Sequence, residues 1–181
     1  MSDEVDRPLS GEEAAELDAA IAEVNELRQK FPIVDLPLNP FSDGADGLTI
    51  DPFDRDIFRP PDGEIHSHKP LASKQGLAPR TAVQLIDNAL DMLEVARGTI
   101  TTTGEAKRYR AALRALQVDR KAAWSSALDL TAPRYVISAD LRAQADYLNA
   151  IHAKLEKDAT ALATIATALN GAAKLIKALN A

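Results

Sequence analysis

Two histidines two residues apart, His66 and His68 in "DGEIHSHKP", open the chemical inventory, with Asp62 and Glu64 beside them. In an extended strand, alternate residues face one side, so both imidazoles can reach one metal ion, with His152 or a carboxylate as a third ligand. The ordinary state of two such histidines in a polar, proline-flanked loop is solvation. No metal is therefore assigned, and His66 and His68 are the candidates if one binds. A second cluster, Asp43, Asp46, Asp51, Asp54 and Asp56, lies in "DGADGLTIDPFDRD". It lacks the D-x-[DN]-x-[DN]-G spacing and the later glutamate of a calcium loop, so turns and a charged outer face are its default.

The third cluster is basic. "EAKRYRAALRALQVDRK" carries six basic residues against Glu105 and Asp119. Helical spacing brings Lys107, Arg110, Arg114 and Lys121 onto much of one face, a stripe for an anionic partner. With Tyr109 beside it, that stripe could touch nucleic-acid phosphate. An acidic protein segment is the simpler partner. No glycine-rich phosphate loop, Gly-x-Ser-x-Gly elbow, His-Glu-x-x-His or cysteine is present. No catalytic residue, cofactor or small-molecule substrate is implied, and the expectation is a protein that is not an enzyme.

The elements that must carry these residues read as helices. The 181-residue chain is 46% hydrophobic but only 4% aromatic, a balance that suits packed helices and not a β-sandwich. Charge is unevenly spread. Residues 1–65 hold 17 acidic and 5 basic side chains, a net of −12, whereas residues 66–181 carry a net of +6. Such a split predicts that the front of the chain lies against its own back or a neighbour's. The acidic start is not a secretory signal and no run is long enough to span a bilayer. The expected location is therefore the cytoplasm or a larger particle.

Residues 1–9 read as a mobile tail. A capping box at Ser10 and Glu13 then opens an amphipathic helix, with Ala14, Leu17, Ile21 and Val24 at 3–4 spacing. The domain division places this helix within 10–31, a proline-rich extended arm at 32–78 and a helical bundle or coiled coil at 79–181. The stretch from Phe31 to Pro79 holds eight of the ten prolines and all four phenylalanines. Disordered linkers normally lack aromatics, so the arm is expected to run in largely polyproline-like backbone and to dock Phe41, Phe53, Ile57 and Phe58 on a partner surface.

Pro79 starts the second helix and Thr99–Thr103 weaken its end. A third is expected over about 104–128, and Ser138 caps a fourth. The fourth is predicted to run unbroken from about 139 to 180, roughly 60 Å at 1.5 Å per residue. A seven-residue register threads it: Leu141, Leu148, Leu155, Leu162, Leu169 and Ile176 at one position, Gln144, Ile151, Asp158, Ile165, Ala172 and Leu179 at the other. A strict heptad implies a coiled-coil seam, in which Leu162, Ile165, Leu169 and Ile176 are partner-binding candidates. Gln144 and Asp158 either fix its register or mark where it opens. From Ala159 to Ala173 there is no charge, so Ala163, Thr167 and Asn170 on the back of the helix are expected to be covered by protein.

Function follows from class alone. The expected fold is all-α, and the expected role is a non-catalytic assembly or adaptor protein that binds a protein partner, or itself, through the heptad helix and the wrapping arm. The alternatives are membrane association through the C-terminal helix and nucleic-acid binding through the basic third helix.

Overall fold

The computed structural model describes residues 7–36, 76–129 and 134–180, with the side chains of 159–164 excepted. Within them the protein is all-α. Six helices run in the order α1 (Gly11–Lys30), α2 (Pro79–Ala96), α3 (Thr103–Leu128), α4 (Ala139–Arg142), α5 (Ala145–Glu156) and α6 (Ala159–Leu179). The only extended pairings among the described residues are two isolated bridges, Pro8 to Thr102 and Leu77 to Tyr135.

The helix starts follow local chemistry. Ser10 and Thr102 each accept a hydrogen bond from the N–H of a glutamate three residues on, and Glu13 and Glu105 return the bond to the cap backbone. Pro79 takes the first turn of α2, where its missing N–H costs nothing. Ser138 caps α4 through the N–H of Leu141 at 3.1 Å. The backbone N–H groups of Ser10 and Thr101 are the main reason that Glu13 and Glu105 hold their protons less tightly than the usual 4.5. A carboxylate depressed in the folded state contributes stability above its unfolded pKa and loses it as pH falls through the folded one. The urea midpoint should therefore drop as pH descends through and below the carboxylate range. A Glu13→Gln/Glu105→Gln variant, which keeps an acceptor at both caps, should show a shallower drop. An identical pH profile for the two proteins would refute this origin.

α2 is the helix enclosed by the rest. It packs on α3, α5 and α6, and Ala82, Ile86, Ala89, Met92, Leu93 and Ala96 are all essentially inaccessible to solvent. α1 is attached more lightly. Only Leu17 and Val24 of it are buried, so it lies on the surface of α3 and is held at its margins by ion pairs.

Three expectations need correcting. Residues 7–9 are not a loose tail: Leu9 N–H donates to the Thr101 carbonyl at 2.8 Å, and Thr103 N–H to that of Arg7 at 3.1 Å. The start of the arm is not continuous polyproline backbone: Pro32 and Leu36 hold that geometry, but Ile33–Asp35 between them form a 3₁₀ turn, and Leu36 is buried. Its remainder, residues 37–75, lies outside the described residues.

The third correction is the largest. The stretch 139–180 is three helices, broken at Ala143–Gln144 and at Lys157–Asp158, with a further kink where Ile165 leaves helical geometry at φ −128° and ψ 24°. Both breaks fall where a polar residue occupies a core position of the heptad. Gln144 is left half-buried and Asp158 exposed, so neither an amide nor a carboxylate is sealed in an apolar seam. Ala143 and Gln144 keep right-handed helical angles, so the first break is a local loosening of the helix. α5 and α6 then pack on one another. Leu141, Leu148, Ile151, Leu155, Leu169, Ala172, Ile176 and Leu179 are buried all the same, so the heptad marks inward positions without implying one straight rod.

Candidate functional site

The charged and polar groups of the protein fall into two populations, those used inside the chain and those left on its surface. Asp119 on α3 belongs to the first. It is 1% exposed and accepts hydrogen bonds from the Tyr135 hydroxyl and from both the backbone N–H and the hydroxyl of Ser138. This fastens the segment before α4 onto α3. Burial, then the hydrogen bond to Asp119 and its charge, push the Tyr135 phenol well above its ordinary range, so it stays a donor at any physiological pH.

Arg120, the next residue, is equally buried. Its Nε and Nη2 straddle the Asp87 carboxylate of α2 at 2.6 and 3.1 Å, and Nη2 also reaches the Phe31 carbonyl at 3.0 Å. Arg28 of α1 shares Asp87 at 3.3 Å and meets Asp91 at 2.7 Å. Phe31 stacks edge-on against Trp124, ring centres 5.0 Å apart. α1, α2 and α3 are thereby tied at the place where the chain leaves α1. Arg80 adds a bond from Nη1 to the Leu36 carbonyl at 2.7 Å. Four residues before Arg80, Gly76 holds φ 131° with its carbonyl taken by Arg134 at 2.9 Å. A side chain there would meet the Tyr135 carbonyl oxygen at 2.7 Å, so glycine is required.

His152, the proposed third metal ligand, is buried, and its Nε2 lies 3.1 Å from the Leu169 carbonyl. It joins α5 to α6. His66 and His68 lie outside the described residues, as do Asp43, Asp46, Asp51, Asp54 and Asp56 and the arm residues Phe41, Phe53, Ile57 and Phe58. Among the described residues no three His, Asp or Glu side chains are grouped to hold a metal. Tyr147 is half-buried with its hydroxyl enclosed and without a hydrogen-bond partner among the described residues, and burial together with the Glu105 charge pushes it up to about 12.

The heptad residues proposed for partner binding turn inward. Leu169 and Ile176 belong to the protein's own core and Ile165 is half-buried against it, while the side chain of Leu162 is outside the described set.

Two outer faces stand out. The first is the α3 stripe, which the structure divides. Arg110 pairs with Glu16 of α1, as the opposed charges of front and back predict, and Arg97 pairs with Asp18 at 2.8 Å. Arg28 with Asp87 and Asp91 runs the other way, a basic group of the front on acidic groups of the back. Lys107, Arg114 and Lys121 are exposed and have no ion pair among the described residues.

The second face is a shallow open groove of about 460 Å³ between α2 and α6, at the Ile165 kink. Asp91, Glu94 and Val95 form one wall and Ala166, Thr167 and Ala168 the other. The close approach that forms it is set by Gly171, where an added Cβ would sit 1.9 Å from Asn88 Nδ2. Thr167 and Asn170, expected to be covered, are exposed. α6 meets α2 along one side, where Gly171 is buried, and α5 along another, and its third side is open among the described residues. The side chain of Ala163 is outside the described set. No residue type marked this groove in advance, since it arises from a backbone kink and a helix crossing.

No helix among the described residues is long and apolar enough to cross a membrane. Comparison of the chain with protein-family models, with curated proteins and with solved structures finds no match.

Proposed function

We propose that this chain is a non-catalytic assembly or adaptor protein: a helical bundle that binds protein partners through its outer faces, with the proline-rich stretch 37–75 as an additional gripping arm. The observation that carries this reading is the divided α3 stripe. One cation, Arg110, is neutralised within the chain by Glu16, whereas Lys107, Arg114 and Lys121 remain exposed and unpaired among the described residues. Unpaired like charges in a row steer an acidic partner and set its register more than they add affinity. The reading also draws on the buried polar groups: Asp119, Arg120 and His152 each have a structural contact that accounts for their presence. The arm's roots are consistent with it. Leu36 is bonded to Arg80 at the start of α2, and Gly76, three residues before that helix, is bonded to Arg134, so the described residues that flank the 37–75 stretch both lie near the start of α2.

The test is charge reversal on the full chain. Native purification of wild type and of Lys107→Glu/Arg114→Glu/Lys121→Glu should recover a stoichiometric acidic protein with wild type only, and raised salt should release it. The same co-purifying set for both proteins would overturn the reading. Two other outcomes replace it with a different one. Material removed by nuclease, with binding that falls steeply with salt, makes the stripe a nucleic-acid site. Flotation with anionic vesicles that is lost on deleting residues 159–181 makes the last helix a membrane-surface element.

A further inference from the structure

The α2–α6 face has opposite charges at its two ends. α6 runs antiparallel to α2: Asn88 faces Gly171, while Asp91 to Val95 lie beside Ile165 to Ala168. At the kinked end, Asp91 and Glu94 border the groove. Six and nine residues beyond Ala168 on α6, roughly 9 and 14 Å at 1.5 Å per residue, Lys174 and Lys177 are exposed, with no ion pair among the described residues. Midway between the ends the surface carries no charge: Asn88 stands there on α2 and Asn170 on α6. Val95 on the groove wall is 38% exposed.

A face with acid at one end, base at the other and a neutral centre is complementary to itself under a half-turn. We propose that a second copy of this chain docks here about a two-fold axis passing near Asn88 and Gly171, so that Lys174 and Lys177 of each copy enter the groove of the other beside Asp91 and Glu94. Each such pair then occurs twice. Glu94 is the more available acid, since among the described residues its side chain accepts one hydrogen bond, from Asn25 at 3.5 Å, whereas Asp91 already has Arg28 at 2.7 Å. The uncharged centre lets the two α6 helices approach closely without burying an unpaired ion, and the contact covers Val95. A face of two short helix stripes, about 600 Å² per copy, is at the low end of specific interfaces, so a reversible micromolar dimer is expected.

This inference deepens the proposed function and rests on it in one respect only, that the chain binds protein. It is tested apart from the α3 stripe. Sedimentation equilibrium of the full chain over a range of concentrations should give a monomer–dimer curve that weakens with salt. Lys174→Glu and Glu94→Lys should each loosen the dimer about tenfold, because a modest surface pair is turned repulsive at two symmetric places. The charge swap Glu94→Lys/Lys174→Glu should recover association to within about threefold of wild type. All the changed residues are exposed, and thermal melts confirm that each variant folds. A chain that stays monomeric at every concentration overturns the proposal. So does a dimer indifferent to both reversals, or a swap no tighter than its single variants. None of these outcomes bears on partner capture by Lys107, Arg114 and Lys121.

Discussion

Replacing Asp87 with alanine should destabilise the protein by about 3–5 kcal/mol, the cost of leaving a buried ion without its partner. Arg120 is 1% exposed and Asp87 neutralises it through two hydrogen bonds. Without that carboxylate, Arg120 retains one bond to the Phe31 carbonyl and faces the Arg28 guanidinium, which shared the same oxygen. Two cations would then confront each other in a place with little water. For a domain of this size the loss corresponds to a fall in Tm of roughly 10 °C. Asp91→Ala is the matched control, because Asp91 is more exposed and its pair with Arg28 is a surface one worth under about 1 kcal/mol. Thermal unfolding of both variants decides the matter. If Asp87→Ala melts with Asp91→Ala, the Arg120 charge is tolerated by other means. A double change to apolar residues, Asp87→Leu/Arg120→Met, should recover much of the loss, since a buried pair is no more stabilising than well-packed hydrocarbon.

Gly171→Ala should also destabilise, by about 2 kcal/mol, even though alanine is better than glycine in a helix interior by roughly 1 kcal/mol. The sign is the point of the experiment. At Gly171 a methyl group would lie 1.9 Å from Asn88 Nδ2, 2.5 Å from its Cγ and 2.6 Å from its Cβ. The amide can swing away, but the Cβ is fixed to the α2 backbone, so the two helices must separate and the core between them loosens. The partner change is Asn88→Gly, which removes all three clashing atoms. In that background Gly171→Ala should become neutral or stabilising, and a double-mutant cycle on thermal melts reads the coupling. Destabilisation that persists undiminished in the Asn88→Gly background would mean that the crossing is not set by this contact.

Both predictions concern contacts between residues far apart in the chain, and here the sequence is least informative. Capping boxes are local: Ser10 with Glu13 defines the start of α1 from four residues, and Ser138 does the same for α4. The end of α2 before the threonine run is equally local, a matter of β-branched side chains losing rotamers. The inward residues of α5 and α6 are legible as well, because a period near 3.5 selects one face of any helix. That pattern does not say whether the helix continues. A heptad reads identically through a rod and through segments that fold back, and no proline or glycine stands at either break. The informative residues were the polar ones, Gln144 and Asp158, at positions where the pattern demanded carbon.

The uncharged stretch of α6 shows the same division. Its composition establishes that no charge there needs solvent and that close approach is possible. Which side is approached is decided by where α2 and α5 run, and those helices reach Gly171, Ala168 and Ala172 while leaving Thr167 and Asn170 open. The basic character of α3 was likewise plain, and so was an acidic counterpart upstream. Only packing could determine that α1 brings Glu16 to Arg110 and nothing described to Arg114. The sequence by itself determined the helical class, most helix starts and the inward faces, because these depend on side chains within a turn or two. The tertiary structure decided the breaks, the groove at Ile165 and the division of the charges, because each depends on where a distant backbone passes.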